Sequence, residues 1–164
     1  MTWFVVLIAV LAAVIVLGGL FLIATANRLD RLHVRLDAGW AALDAALARR
    51  AVVARAVAAA ALDGVGAAAI RQAADVAEAA PRAERETAEN ELTKVLGAVA
   101  RAQLPPRLTD ELSDAEHRVM IARRVHNDAV RDTLTLRRRR KVRYFKLAGT
   151  APQPEYFEIV DPVP

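Results

Sequence analysis

From Thr2 to Ala26 the chain carries no charged residue, and Trp3 to Ile23 reads WFVVLIAVLAAVIVLGGLFLI. A run of about 20 apolar residues is long enough to cross the ~30 Å hydrocarbon core of a bilayer as a helix. Residues 1–26 are therefore predicted to be a transmembrane anchor, with Trp3 at one interface, where amphipathic rings are favoured. Ala24-Thr25-Ala26 has the small-x-small form of a signal cleavage site. However, no Lys or Arg precedes the apolar run, and the run exceeds the ~7–15 residues of a signal h-region. An uncleaved anchor is the expectation. Arg28, Arg31 and Arg35 follow the run directly. Basic residues beside a span stay on the cytoplasmic side, which predicts an outside N-terminus and a cytoplasmic C-terminal part at the plasma membrane.

From Asn27 the pattern becomes amphipathic. Leu29, Leu32, Leu36, Gly39, Leu43, Ala46, Arg50, Val53, Val57 and Ala60 alternate steps of three and four. That is a heptad stripe on one long helix, predicted over about 27–62 and widened by Trp40 and Leu47. Asp63-Gly64-Val65-Gly66 reads as its end. A short alanine-rich helix is predicted over about 67–79, and a third over about 82–102, with Pro81 at its first position. The third helix has the stripe Ala88, Leu92, Val95, Val99 and Ala102, with Leu96 beside it. Leu104-Pro105-Pro106 breaks it.

Thr109 is the predicted cap of a fourth helix over about 109–140. That helix carries Leu108, Leu112, Ala115, Val119, Ala122, His126, Ala129, Thr133 and Leu136 as another 3–4 stripe. Short connections make neighbouring helices antiparallel. The expected fold is all-α: an N-terminal transmembrane helix continuing into an antiparallel four-helix bundle over 27–147, then a tail over 148–164. Helix 4 should run back towards the membrane. The tail is too rich in proline for a long helix, and Tyr156, Phe157 and Ile159 are expected to dock on the bundle.

Composition narrows the chemistry. The 164 residues hold no cysteine, which excludes disulfides, thiolate metal sites and cysteine nucleophiles. Ser113 is the only serine and reads as a local capping group. The net charge of +4 rests on 20 arginines against three lysines. Six of these cations cluster as Arg137, Arg138, Arg139, Arg140, Lys141 and Arg143, followed by Tyr144 and Phe145. The cluster reads as a solvated helix end favoured by the helix dipole, or as a contact for anionic lipid head groups. Nucleic-acid phosphate is the third and least favoured reading.

Two stretches resemble the LemA family. Gly39-Trp40-Ala41-Ala42-Leu43-Asp44-Ala45-Ala46-Leu47-Ala48-Arg49-Arg50 is similar to the family's AWxxIDxxLxRR segment. Ala122-Arg123-Arg124-Val125-His126-Asn127-Asp128-Ala129-Val130-Arg131-Asp132 is similar to its ARRxYNDAVRDYN segment, and Pro154-Glu155-Tyr156-Phe157-Glu158 to its terminal YFE. Val53-Ala54-Arg55 replaces the family's proline-asparagine pair, His126 its tyrosine, and the arginine run its glycine- and phenylalanine-rich approach to the end. The resemblance implies a divergent single-pass bacterial membrane protein with a cytoplasmic helical domain and no catalytic residues.

Little else points to a reaction. Asp114-Ala115-Glu116-His117 supplies one Asp-x-x-His, whereas a di-metal bundle needs two Glu-x-x-His motifs and two more glutamates. His117 and His126 fall on opposite faces of one helix. His126 lies in the stripe and reads as a hydrogen-bonded core group. Asp44, Arg49 and Arg50 read first as a solvated salt-bridge face; the alternative is a buried polar network with acids on helix 4, which would set helix register, with Asn127 and Asp128 nearby. The expected function is a non-enzymatic scaffold or interaction protein at the membrane surface, without a cofactor, whose partners are the lipid bilayer and another membrane or cytosolic protein. The alternative is a membrane-tethered nucleic-acid binder that uses the arginine cluster.

Overall fold

The computed structural model describes residues 2–60, 64–99, 101, 104–145 and 152–160. Among these residues the chain is all-α and contains no strand. The helices are α1 (Thr2–Ala60), α2 (Gly64–Ala79), α3 (Arg82–Gly97), α4 (Pro106–Arg137) and the short α5 (Arg140–Tyr144). They form two compact units. One comprises the described residues of Met1–Leu36 and Ala129–Pro154, the other those of Asp37–Asp128 and Glu155–Pro164.

The larger unit packs four helices around one core. Ala51, Ala54, Val57 and Ala58 of α1 meet Ala67, Ile70, Ala74 and Ala77 of α2, Leu92 and Leu96 of α3, and Leu112 and Ala115 of α4. Alanine is the strongest helix former, and its small side chain lets helix backbones approach closely. Below this layer Leu43 and Leu47 pack against Val119, and Gly39 lies against His126. Positions on α1 thus rise as those on α4 fall, so the two helices are antiparallel. The 3–4 stripes account for this packing: Leu43, Arg50, Val53 and Val57 of α1 and Leu112, Ala115, Val119 and His126 of α4 are all buried.

The smaller unit holds the apolar run. Its large side chains from Trp3 to Ile23 are exposed, except for the half-buried Leu22. Among the described residues α1 is the one helix long and apolar enough to cross a membrane. Past that run Leu36 packs with Ala129 and Val130, and Leu29 with Leu136 of α4 and Val142 of α5. An exposed Arg35–Asp132 pair at 3.3 Å adds little.

Several boundaries differ from the sequence reading. Gly64–Gly66 belong to α2 rather than to a turn. The first helical turn has no intrahelical partners for its N–H groups, so glycine there costs less than in a helix interior. Residues 61–63 lie outside the described set. Pro81 is the N-cap of α3 rather than its first residue, with extended φ −64° and ψ 160°. Helix α3 stops at Gly97, short of 102, through a tight turn in which Ala98 N–H donates to the Val95 carbonyl at 3.3 Å. Glycine is the weakest non-proline helix former.

Helix α4 begins at Pro106, whose missing N–H suits a first turn. Thr109 therefore sits inside the helix, and its hydroxyl reaches back to the Arg101 and Pro105 carbonyls at 3.4 and 3.5 Å. The arginine run does not continue α4 to 140. The helix ends at Arg137, and α5 starts anew at Arg140, which turns Val142 inward while Arg138, Arg139, Arg140 and Arg143 stay exposed.

Candidate functional site

The larger unit carries a buried ionic cluster centred on Glu89 of α3, which is wholly buried. Arg50 donates to its Oε2 at 3.2 Å and Arg85 to its Oε1 at 3.3 Å. Arg50 also donates to the Thr93 hydroxyl at 2.8 Å. Arg85 donates to the Glu78 carbonyl at 3.2 Å and pairs with Asp44 at 3.3 Å. Burial pushes the Glu89 carboxyl up from its ordinary value, against the pull of Arg50 and Arg85. Burial likewise pushes the Arg50 guanidinium down, against Glu89 and the more distant Glu116.

The buried cluster takes Asp44 and Arg50 from the sequence candidates and joins them to residues of α3. Its acid lies on α3 rather than α4, and Arg49 is exposed and outside it. Asp44 joins through Arg85, and Asp128 is half-buried on α4. The sequence reading missed Arg85 and Glu89. Their signal was available, because 85, 89, 92 and 96 continue the α3 stripe by the helical spacing.

His126 is buried as predicted but is not hydrogen-bonded as predicted. Neither ring nitrogen has a partner of normal geometry. The ring instead lies edge-on to Trp40, with centroids 5.6 Å apart. On the α1 side, a Cβ at Gly39 would come within 3.3 Å of the His126 Cα, so no side chain of α1 reaches the ring from that position. Burial and the positive charge of Arg82 hold the imidazole below its ordinary value of 6.5, opposed by the Glu155 backbone. The unfolded chain therefore binds the proton more readily. This contribution to stability is present above about pH 6.5 and is lost as pH falls through the folded value. The melting temperature is expected to fall on acidification from pH 7.5 to 5.5, and His126→Phe should flatten that part of the curve. An unchanged slope in the variant would assign it to other groups.

Asn127 has a role the sequence did not reveal. Its Nδ2 donates to the Phe157 carbonyl at 3.0 Å, and its Oδ1 accepts from the Phe157 N–H at 2.9 Å. The tail thus docks, as its apolar residues suggested. Phe157 and Ile159 are buried against Leu43, Leu47, Val119 and Trp40, whereas Tyr156 stays exposed. Trp40 meets the Phe157 ring edge-on at 5.8 Å, and the Arg82 guanidinium covers Trp40 at 4.0 Å.

Further side chains hold the tail backbone. Glu158 N–H donates to Glu86 at 3.1 Å, Val160 N–H to Asn90 at 2.8 Å, and Arg123 donates to the Ile159 carbonyl at 2.7 Å. Burying two such side chains is worth about 3–6 kcal/mol, and each hydrogen bond about 1 kcal/mol. Fixing six residues costs about 1–2 kcal/mol each. Burial and hydrogen bonding thus offset the ordering cost.

Beside the tail an open pocket of about 220 Å³ is lined by Arg50, Thr93, Ser113, Glu116, His117, Val119 and Met120, with Ile159 and Val160 of the tail completing its wall. Ser113 therefore faces a pocket rather than capping α4. Glu116 is engaged by Arg101 at 3.0 Å. Among the described residues no group of three His, Asp or Glu is arranged to hold a metal ion.

The basic cluster lies in the smaller unit. Because Val142 packs on Leu29, α5 sits just past the uncharged run of α1. Arg138, Arg139, Arg140 and Arg143 are exposed, as are Tyr144 and Phe145, whose rings meet edge-on at 5.1 Å. Arg137 donates to the Pro152 carbonyl at 2.8 Å. The side chain of Lys141 lies outside the described set, as do residues 146–151 and 161–164. No protein-family model matches the chain, and no curated protein or solved structure matches it.

Proposed function

We propose that this chain is a single-pass, membrane-anchored interaction protein of LemA type, whose helical bundle binds other proteins at the cytoplasmic surface of a bacterial plasma membrane. The observation that carries this reading is the exposure of the large side chains from Trp3 to Ile23, all but the half-buried Leu22. An apolar face this long is matched by lipid and not by water. The rest of α1 buries its stripe in ordinary helix packing, so the two stretches of one helix meet different surroundings.

The basic cluster supports the orientation. Arg28, Arg31 and Arg35 of α1 and the exposed Arg138, Arg139, Arg140 and Arg143 all belong to the smaller unit, past the uncharged run of α1. Basic residues at that level favour the cytoplasmic leaflet, where each near the surface is worth about 1 kcal/mol against anionic lipid. Tyr144 and Phe145 beside them suit the same interface. This lipid reading is preferred to nucleic acid, because the arginines stand next to the end of the apolar run. No enzymatic step is proposed, and the buried ions are read as a structural cluster.

Topology tests the proposal directly. The chain has no native cysteine, so Thr2→Cys and Asp161→Cys variants report cleanly with a membrane-impermeant maleimide on intact cells. Labelling at position 2 alone is the expected result. Labelling at position 161 without permeabilisation would overturn the cytoplasmic assignment and place the bundle in the cell envelope.

A further inference from the structure

Residues 155–160 are held as a peptide ligand is held. The segment forms no helix and pairs with no strand, and its burial alternates, with Phe157 and Ile159 buried between exposed neighbours. Its backbone is instead read by side chains of α3 and α4: Glu86, Asn90, Arg123 and Asn127, the last contributing both a donor and an acceptor to Phe157. Such contacts recognise any extended backbone. Selectivity comes from the alternate residues Phe157 and Ile159, which enter the apolar surface while Tyr156, Glu158 and Val160 face outward. This is the period of two by which extended peptides are recognised.

We propose that this groove is a receptor for an extended peptide of another protein that carries an aromatic residue and, two positions later, a β-branched aliphatic residue. The chain's own residues 155–160 occupy the groove in competition with that partner. Because Ile159 and Val160 also wall the pocket beside Arg50, a partner that displaces the tail changes that pocket as well. The inference takes its setting from the interaction-protein reading and supplies its partner chemistry. It is tested in detergent, where binding does not depend on topology, so the two fail independently.

The experiment uses the full chain and a fluorescent synthetic peptide of residues 152–160. A tethered tail acts at an effective concentration on the order of mM, so the unaltered chain should bind the peptide weakly. The Phe157→Ser/Ile159→Ser chain should bind it at least about tenfold more tightly. Asn127→Ala in that background should reverse most of the gain, and a peptide carrying the same two serines should not bind. A tail-weakened chain that keeps its helical content and melting transition yet ignores the peptide would overturn the proposal. The unaltered chain gives a second readout by hydrogen exchange. Amides of Phe157, Glu158 and Val160 should exchange by local opening, well before those of α3 and α4. Exchange only on global unfolding would make the tail a permanent part of the core, and the proposal would fall.

Discussion

Replacing Glu89 by alanine is expected to destabilise the larger unit by about 3–5 kcal/mol, the cost of breaking a buried ion pair by removing one partner. Glu89 is the acid shared by two buried arginines. Arg50 and Arg85 are 2% and 5% exposed, and each donates to a different carboxylate oxygen. Without Glu89, Arg50 retains only the neutral Thr93 hydroxyl among its direct partners, and its Nε already has none. Arg85 is better protected, because Asp44 and the Glu78 carbonyl remain.

Arg50→Met should therefore partly rescue the Glu89→Ala chain. The triple change Arg50→Met/Arg85→Met/Glu89→Leu should return to within about 2 kcal/mol of the parent, since an apolar replacement of similar volume often matches a buried ion cluster. Denaturant titrations followed by circular dichroism measure all four chains. If Glu89→Ala costs less than about 1 kcal/mol, water must reach the cluster, and its burial does not describe the chain in solution.

The second large effect concerns the apolar run. Leu11→Arg with Ile15→Arg places two charges in the middle of it, each costing about 2.5–3.5 kcal/mol on insertion scales. The double variant is expected to lose most of its resistance to carbonate extraction from membranes. Its bundle should melt unchanged, because Leu11 and Ile15 are exposed and belong to no packed cluster. Val34→Arg with Val52→Arg, also at exposed positions but beyond the run, is the matched control and should extract like the parent. Equal extraction of all three chains would mean that this stretch does not face lipid.

The two predictions draw on different kinds of information. The apolar run, the 3–4 stripes of α1 and α4 and the all-helical class are written in local spacing, because helical periodicity and lipid-length hydrophobicity are properties of consecutive residues. Even Arg50 was marked, since it sits on the α1 stripe among residues that are buried. Where local signals misled, they were short. Asp63-Gly64-Val65-Gly66 resembled a stop, and the arginine run resembled a continuous helix, although a break after Arg137 lets Val142 turn inward onto Leu29.

What spacing could not supply is the identity of partners across the fold. A stripe says which face of a helix is covered and not which helix covers it. Arg50 meets Glu89 on α3 because the α2–α3 hairpin brings that face to α1. Asn127 reads as one more polar residue on α4 until the tail crosses it. His126 meets the α1 backbone at Gly39 and the edge of the Trp40 ring, neither of which its own helix reveals. The helices and their buried faces are legible in consecutive residues, because helical backbone geometry is regular. The ion cluster, the tail groove and the pocket beside it arise only on packing, because each joins side chains far apart in the chain.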